Sequence, residues 1–204
     1  MNKTLFTLTI TAILLSGCSS TSQLKGTVAN RIYTSPDGSF SCPVPYKESD
    51  KPKIYDNPGF VSFTSLSSSV IRIDYDNYAA NTELVAAIEK KGLAGFLEFE
   101  LEPYRRLILD RYYGGGQMLH HEAITINGKP MHFATFMIDD PERKHAKTRC
   151  GVLIYLEKPH CYHMTVFCRP SHNFIFHDSS EEEHRLFMKG ELFKMYQLMN
   201  HNPI

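Results

Sequence analysis

The sequence predicts an α+β fold, in which antiparallel sheet packs against a long broken central helix and a C-terminal helix. First, the β-favouring segments come in pairs joined by short turns, which is typical of antiparallel hairpins. Second, two segments with helical spacing of apolar residues lie apart from these pairs. With two helical regions against about eight strands, a two-layer sandwich buries the apolar faces. We therefore predict one domain over residues 30–204.

The first predicted hairpin surrounds Pro36-Asp37-Gly38, a tripeptide that favours a tight turn. Residues 31–35 form its first strand and residues 39–44 its second. Alternate residues of a strand share a face, so Phe40 and Cys42 are predicted to face the same side.

The next segment, residues 47–58, carries charges and two prolines and is predicted to be a loop. Residues 59–66 and 69–75 follow it and are rich in β-branched and aromatic side chains. They are predicted to form the second strand pair.

A helical region follows, with apolar residues at helical spacing over residues 84–111. Thr82 precedes this pattern and is predicted to be the N-cap. Gly92, Gly95 and Pro103 interrupt the pattern, so we expect two helices or one broken helix.

The second half of the chain returns to strands. Residues 118–126 and 129–138 flank Asn127-Gly128, a pair that favours the type I′ turn of a two-residue hairpin. Two further strands are predicted at residues 149–156 and 161–169.

The last predicted element is a helix over residues 180–200. Ser180 can cap it, and the run Glu181-Glu182-Glu183 suits the positive end of a helix.

The first 17 residues have the pattern of an export signal. Lys3 is the only charged residue before Lys25, and the apolar run at residues 5–15 follows it. This run is too short to span a bilayer, which takes about 20 apolar residues. Small residues at Ser16 and Gly17 precede Cys18, as a cleavage site requires.

The segment Leu15-Ser16-Gly17-Cys18 resembles the lipobox of bacterial lipoproteins. The resemblance implies cleavage before Cys18, a diacylglyceryl group on its thiol and an acyl chain on its new amine. Two such chains anchor a protein stably. Residues 18–29, rich in serine and threonine, would then be a flexible tether. Ser19 in place of aspartate implies sorting to the outer membrane, with the domain facing the periplasm.

The charge balance excludes one class of partner. Residues 1–17 contain a single charge, Lys3, so the processed chain keeps 21 basic and 22 acidic side chains. A near-neutral domain lacks the basic surface that nucleic acid requires, so we predict no nucleic-acid partner. It also lacks a basic face for anionic lipid, so the lipid on Cys18 must attach the chain to the membrane.

A second resemblance concerns the mature domain. The segment Tyr33-Thr34-Ser35-Pro36-Asp37-Gly38-Ser39-Phe40, followed by Pro43-Val44-Pro45, resembles the start of PsbP-like domains. The order of the predicted elements is similar over roughly residues 31–199. The long broken helix and the four mature cysteines depart from that pattern. The resemblance implies an α/β/α-type sandwich that serves as a binding or assembly accessory.

Four cysteines besides Cys18 raise the question of disulfides, which are favoured in an oxidising envelope compartment. A three-residue loop at 158–160, with both apolar strand faces on one side of the sheet, would place Cys150 opposite Cys168. Cys42 and Cys161 would then be left to pair by exclusion. The alternative is four reduced structural cysteines.

Two pairs of side chains have a spacing that could bind a metal ion. Cys161 and His163 would project from one face of a strand, a spacing that can chelate zinc or copper. His120 and Glu122 have the same spacing on another strand. A metal site needs three or four converging ligands, so we predict no metal and no other cofactor, and we keep Cys161, His163 and His120 as candidate ligands.

Motifs that indicate catalysis are missing from the sequence. It contains no Gly-x-Ser-x-Gly, no His-Glu-x-x-His and no glycine-rich phosphate loop. We therefore predict no catalytic residue, and expect a non-enzymatic envelope lipoprotein that binds an envelope protein or assists an assembly. A metal-binding lipoprotein and an envelope hydrolase are the alternatives.

Overall fold

The structure is a computed structural model that describes residues 25–65, 69–106, 116–139, 147–168 and 180–201. Over these residues it confirms the predicted α+β class, with antiparallel sheets and two helices, α1 (Thr82–Arg106) and α2 (Glu181–Leu198). Cys18 and the predicted export signal lie outside the described residues. Neither described helix is long and apolar enough to cross a membrane.

The strands form a large sheet and a small one, both antiparallel. The small sheet has the order β1-β2-β3-β11, and the central sheet has the order β4-β5-β6-β10-β9-β8-β7. The strand bounds are β1 (Thr27–Ala29), β2 (Ile32–Thr34), β3 (Phe40–Pro43), β4 (Lys53–Asn57), β5 (Phe60–Thr64), β6 (Val70–Asn77), β7 (Gly116–Ile126), β8 (Lys129–Asp139), β9 (Lys147–Glu157), β10 (His160–Cys168) and β11 (Asn200–His201).

Both faces of the central sheet are buried. On one face it packs against the small sheet and α2 in a cluster that includes Phe40, Phe63 and Tyr162, here called the α2-side core. On the other face it packs against α1 in a cluster that includes Phe96 and Phe136, here called the α1-side core. Every residue of the middle strand β10 is consequently buried.

The two predicted turns are confirmed. Asn127 and Gly128 have φ angles of 52° and 78°, as the type I′ turn between β7 and β8 requires. Between β2 and β3, the Asp37 carboxylate accepts hydrogen bonds from the backbone N–H of Ser39 at 3.0 Å and from the Ser35 hydroxyl at 2.7 Å. Hydrogen bonding of an aspartate to its own turn explains its preference for this position.

The helices begin and break for local reasons. α1 contains a break at Gly92, where φ is 70° and ψ is 166°, so the expectation of a broken helix is confirmed. The predicted N-cap Thr82 is wrong, because the Asn81 side chain accepts from the backbone N–H groups of Glu83 and Leu84. Ser180 caps α2 as predicted, with a capping box closed by Glu183.

Three short strands fall where none was predicted. β4 lies in the predicted loop 47–58, β1 lies in the predicted tether 18–29, and β11 follows α2 where helix was expected. β1 is exposed at every residue, and β4 is half-buried only at Ile54 and Asp56. Edge strands with so little apolar burial carry no periodic pattern in the sequence.

The predicted register of β9 and β10 is wrong. Their turn has two residues, so Cys150 pairs with Phe167 and Cys168 pairs with Arg149. The side chain of Cys150 therefore lies in the α1-side core and that of Cys168 in the α2-side core. The prediction assumed one buried face. Because both faces are buried, this register leaves the apolar residues of both strands inside.

The second predicted disulfide pair also lies on opposite faces of the central sheet. Cys42 lies in the α2-side core, whereas Cys161 lies in the α1-side core. All four are buried free cysteines. The predicted bridges Cys150–Cys168 and Cys42–Cys161 would each have to join thiols on opposite faces of the sheet, so the structure contradicts both pairings.

Candidate functional site

The candidate site is a cavity at the end of the central sheet where the C-terminal segment returns to the small sheet. Its volume is about 620 Å³, within the range of about 300 to 1,000 Å³ typical of ligand sites. We call it the C-terminal pocket. It is lined by Ser41, Asn127, Lys129, Glu157, Tyr196, Gln197, Met199, Asn200 and His201.

Long-range pairing assembles this pocket. β11 follows the end of α2 and pairs with β3, with Asn200 opposite Ser41 and His201 opposite Phe40. This pairing brings Asn200 and His201 next to the tip of the β7–β8 hairpin and the end of β9. Residues far apart in the sequence therefore line one cavity.

The charged groups of the pocket are paired with each other. The Lys129 ammonium forms an ion pair with the Glu157 carboxylate, and this hydrogen bond raises the pKa of Lys129. The Tyr196 hydroxyl donates to Glu157 Oε1 at 3.5 Å. Burial, followed by the charge of Glu157, raises the pKa of Tyr196, so its hydroxyl stays a donor near neutral pH. Lys129 and Glu157 together contribute no net charge to the pocket.

A cluster of aromatic rings packs next to the pocket. The rings of Tyr155 and Tyr162 are 5.1 Å apart at an interplanar angle of 9°, and both are buried. The His201 imidazole packs edge-on against them, 5.6 Å from Tyr155 and 5.0 Å from Tyr162. Aromatic pairs in these geometries add stability beyond simple burial. These ring contacts hold His201, which lines the pocket, against the α2-side core.

The arrangement is not that of an activated nucleophile. Ser41, His201 and Glu157 line the same pocket, but Nε2 of His201 lies 3.3 Å from the Tyr155 hydroxyl. Glu157 is paired with Lys129 rather than with the histidine. Burial lowers the pKa of His201 and raises that of Tyr155 well above its usual range. A serine nucleophile needs a hydrogen-bonded base that a third group orients, and the described contacts of these residues do not supply that relay.

Cys161 and His163 do share a face, as predicted, and it is the one covered by α1. The His163 ring stacks on Tyr104 at 4.6 Å and 7°. Burial lowers the pKa of His163 to about 4, and its Nε2 has no hydrogen-bond partner among the described residues. Asp74, opposite His163 in the register, is bound through both carboxylate oxygens by Arg72 at 2.8 and 2.9 Å.

His120 lies on the other face of the sheet, in an ion-pair network between β7 and α2. Its Nε2 lies 3.5 Å from Glu122 and 3.1 Å from Arg185, while Lys189 contacts Glu122 at 2.8 Å. The structure therefore does not bring His120 together with Cys161 and His163. Within the described ranges, no group of three histidine, cysteine, aspartate or glutamate side chains could hold a metal ion.

The residues of the C-terminal pocket were not predicted. Lys129 and Glu157 look like ordinary strand-end charges in the sequence, and His201 follows a helix. Only the pairing of β11 with β3 joins them, and two residues are too few to produce a strand pattern.

Comparisons with known proteins give evidence on the fold alone. No protein-family profile matches the sequence, and no curated protein matches it. Among solved structures, the chain is similar to cyanobacterial PsbP (CyanoP) from Synechocystis sp. PCC 6803, with a TM-score of 0.53 and 10% identity over 93% of this chain and 99% of that one. The PsbP-like fold is thereby supported. The Ran-binding protein Mog1p of Saccharomyces cerevisiae has a TM-score of 0.47 at 10% identity, covering 86% of this chain and 96% of its own.

Proposed function

We propose that this protein is a lipid-anchored, non-enzymatic envelope protein that binds a polar segment of a protein partner in the C-terminal pocket. The observation that carries the proposal is the convergence of polar side chains on one open cavity of about 620 Å³. The lipobox-like segment ending at Cys18 supports the anchor, and with it a place at the outer membrane facing the periplasm.

The chemistry of the lining favours a polar, uncharged ligand group. The side chains of Asn127, Gln197 and Asn200 offer both donors and acceptors, as a peptide backbone requires. Because Lys129 and Glu157 already neutralise each other, a charged ligand would have to displace one partner of the pair. A neutral peptide segment can hydrogen-bond without that loss.

Burial and pairing of the ionisable groups also argue for binding rather than catalysis. His201 and Tyr155 are hydrogen-bonded to each other, with pKa shifts that keep both neutral near pH 7. A general base needs a free acceptor atom, whereas His201 Nε2 and the Tyr155 hydroxyl already contact each other.

A photo-crosslinking experiment tests this proposal. Gln197 and Leu186 are both exposed positions on α2, but only Gln197 lines the pocket. A photo-reactive phenylalanine analogue is placed at one or the other in the full chain, and intact cells are irradiated. We expect a defined protein adduct from position 197 and none from position 186. Adding Lys129→Gln should weaken the adduct, because it breaks the ion pair in the pocket.

Two outcomes would contradict the proposal. One is equal crosslinking from both positions, since that would show general contact with the envelope rather than use of the pocket. The other is no adduct from position 197 in cells where the protein is present at its normal level.

A further inference from the structure

A pair of histidines on the α1 side of the sheet has the geometry of a metal site. His121 lies on β7 and His132 on β8, and they are diagonal neighbours, since His121 pairs with Ala134 and His132 with Ala123. Nδ1 of His121 lies 3.3 Å from Nε2 of His132. The ring centroids are 5.5 Å apart with an interplanar angle of 23°.

That nitrogen separation matches the spacing of two ligands on one ion. Two imidazole nitrogens at about 2.0 to 2.1 Å from a tetrahedral zinc ion lie about 3.3 Å from each other. The separation is therefore compatible with both nitrogens binding one ion, which would replace the hydrogen bond that now joins them. Cross-strand neighbours also hold the two rings on a rigid backbone, which reduces the conformational cost of binding.

His132 is buried although hydrogen bonds satisfy only part of its ring. It is 3% exposed, and its Nδ1 has no hydrogen-bond partner among the described residues. Its one described hydrogen-bond contact is with His121. The cation would bind Nε2, whose one described contact is His121, and Nδ1 would remain without a described partner.

Charge and access also suit a cation. Two carboxylates place negative charge near His132. The larger effect comes from Glu98 on α1 and the smaller one from Glu122. Burial and the neighbouring His121 lower the pKa of His132, so its ring is neutral and keeps a lone pair near pH 7. His121 is exposed on the edge strand β7, so an ion and its waters can reach the pair from solvent.

We propose that His121 Nδ1 and His132 Nε2 bind a divalent transition metal ion of the zinc class, with water completing its coordination. Imidazole nitrogens select such ions over magnesium and calcium. The two described protein ligands are fewer than the three or four of established zinc sites, so water would fill the remaining positions and we expect weaker binding than at those sites. The proposal does not depend on the C-terminal pocket, which neither histidine lines.

The test is a titration of the full processed chain, purified without a histidine tag, with zinc chloride alone. Imidazole nitrogen resonances are followed by NMR, and affinity by calorimetry. We expect the signals of His121 Nδ1 and His132 Nε2 to shift together. His121→Asn should weaken binding at least about tenfold, because it removes a direct ligand. His121 is exposed, so this variant is expected to fold.

His120→Asn is the matched control, since it is the adjacent residue of the same strand but faces α2. Wild-type affinity in this variant, together with loss in His121→Asn, supports the site. The proposal is overturned if the wild type binds no zinc, if His121→Asn binds as the wild type does, or if His120→Asn loses binding equally.

Discussion

Cys150 and Cys168 lie on opposite faces of the central sheet, because Cys150 pairs with Phe167 and Cys168 with Arg149. Each thiol is buried in a different core, one against α1 and the other against α2. A bond between them would require one strand to shift by a residue. Such a shift would exchange the residues of the two cores along the whole strand.

The first prediction is therefore that Cys42, Cys150, Cys161 and Cys168 are free thiols that do not react in the folded protein. Burial raises the pKa of Cys42 to about 12 and that of Cys168 to about 11. The reactive thiolate is then scarce near neutral pH. Alkylation followed by non-reducing mass spectrometry should label none of the four in native protein and all four in urea. A disulfide-linked peptide joining Cys150 to Cys168 would contradict the register.

The second prediction concerns acid stability and His163. Its pKa is about 4 in the folded protein, because burial disfavours the charged ring, against about 6.5 in an unfolded chain. Between these values the unfolded state binds more protons, so stability falls as the pH falls from 6.5 towards 4. The loss between about pH 7 and pH 5 is about 2 kcal/mol.

The substitution His163→Phe tests this directly, since a phenyl ring can still stack on Tyr104. Urea unfolding should show a smaller loss of stability between about pH 7 and pH 5 than in the wild type. The control is His120→Gln, because His120 lies in a half-exposed ion-pair network. If His163→Phe retains the full wild-type pH dependence, another group is responsible for it.

The third prediction compares two glycines in the helices. Gly92 breaks α1 at φ 70° and ψ 166°, a conformation open almost only to glycine. Gly190 lies in α2, where an added Cβ would meet nothing within 4 Å. We expect Gly92→Ala to destabilise the fold by about 1 to 3 kcal/mol. Gly190→Ala should instead stabilise it by about 0.5 to 1 kcal/mol.

Thermal unfolding of both variants measures these changes. The signs should be opposite, because one alanine is forced into an unfavourable conformation and the other replaces a glycine in a regular helix. Equal effects of the same sign would mean that the break in α1 is not held at Gly92.

The sequence allowed prediction of the elements that have strong local patterns. The Asn127-Gly128 turn, the Ser180 cap and the break in α1 each depend on residues close together in the chain, and the structure confirms them. Local chemistry also explains the Asp37 turn. These features need no knowledge of the rest of the fold.

The failed predictions depended on long-range packing. The register of β9 and β10 was inferred from one buried face, but α1 and α2 cover both faces of the sheet. The C-terminal pocket depends on the two-residue strand β11, which pairs with β3 across most of the chain. The His121–His132 pair likewise depends on a diagonal contact between two strands. Local patterns could not reveal these contacts.

The most direct test of the central proposal, a protein held at the membrane by lipid on Cys18, is mass spectrometry of the N-terminal peptide. The chain is isolated from the membrane fraction of cells and digested without prior removal of lipid. We predict a peptide that begins at Cys18 and carries a diacylglyceryl group on the thiol and an acyl chain on the amine. A membrane-fraction protein that retains residues upstream of Cys18, or has an unmodified Cys18, would contradict it.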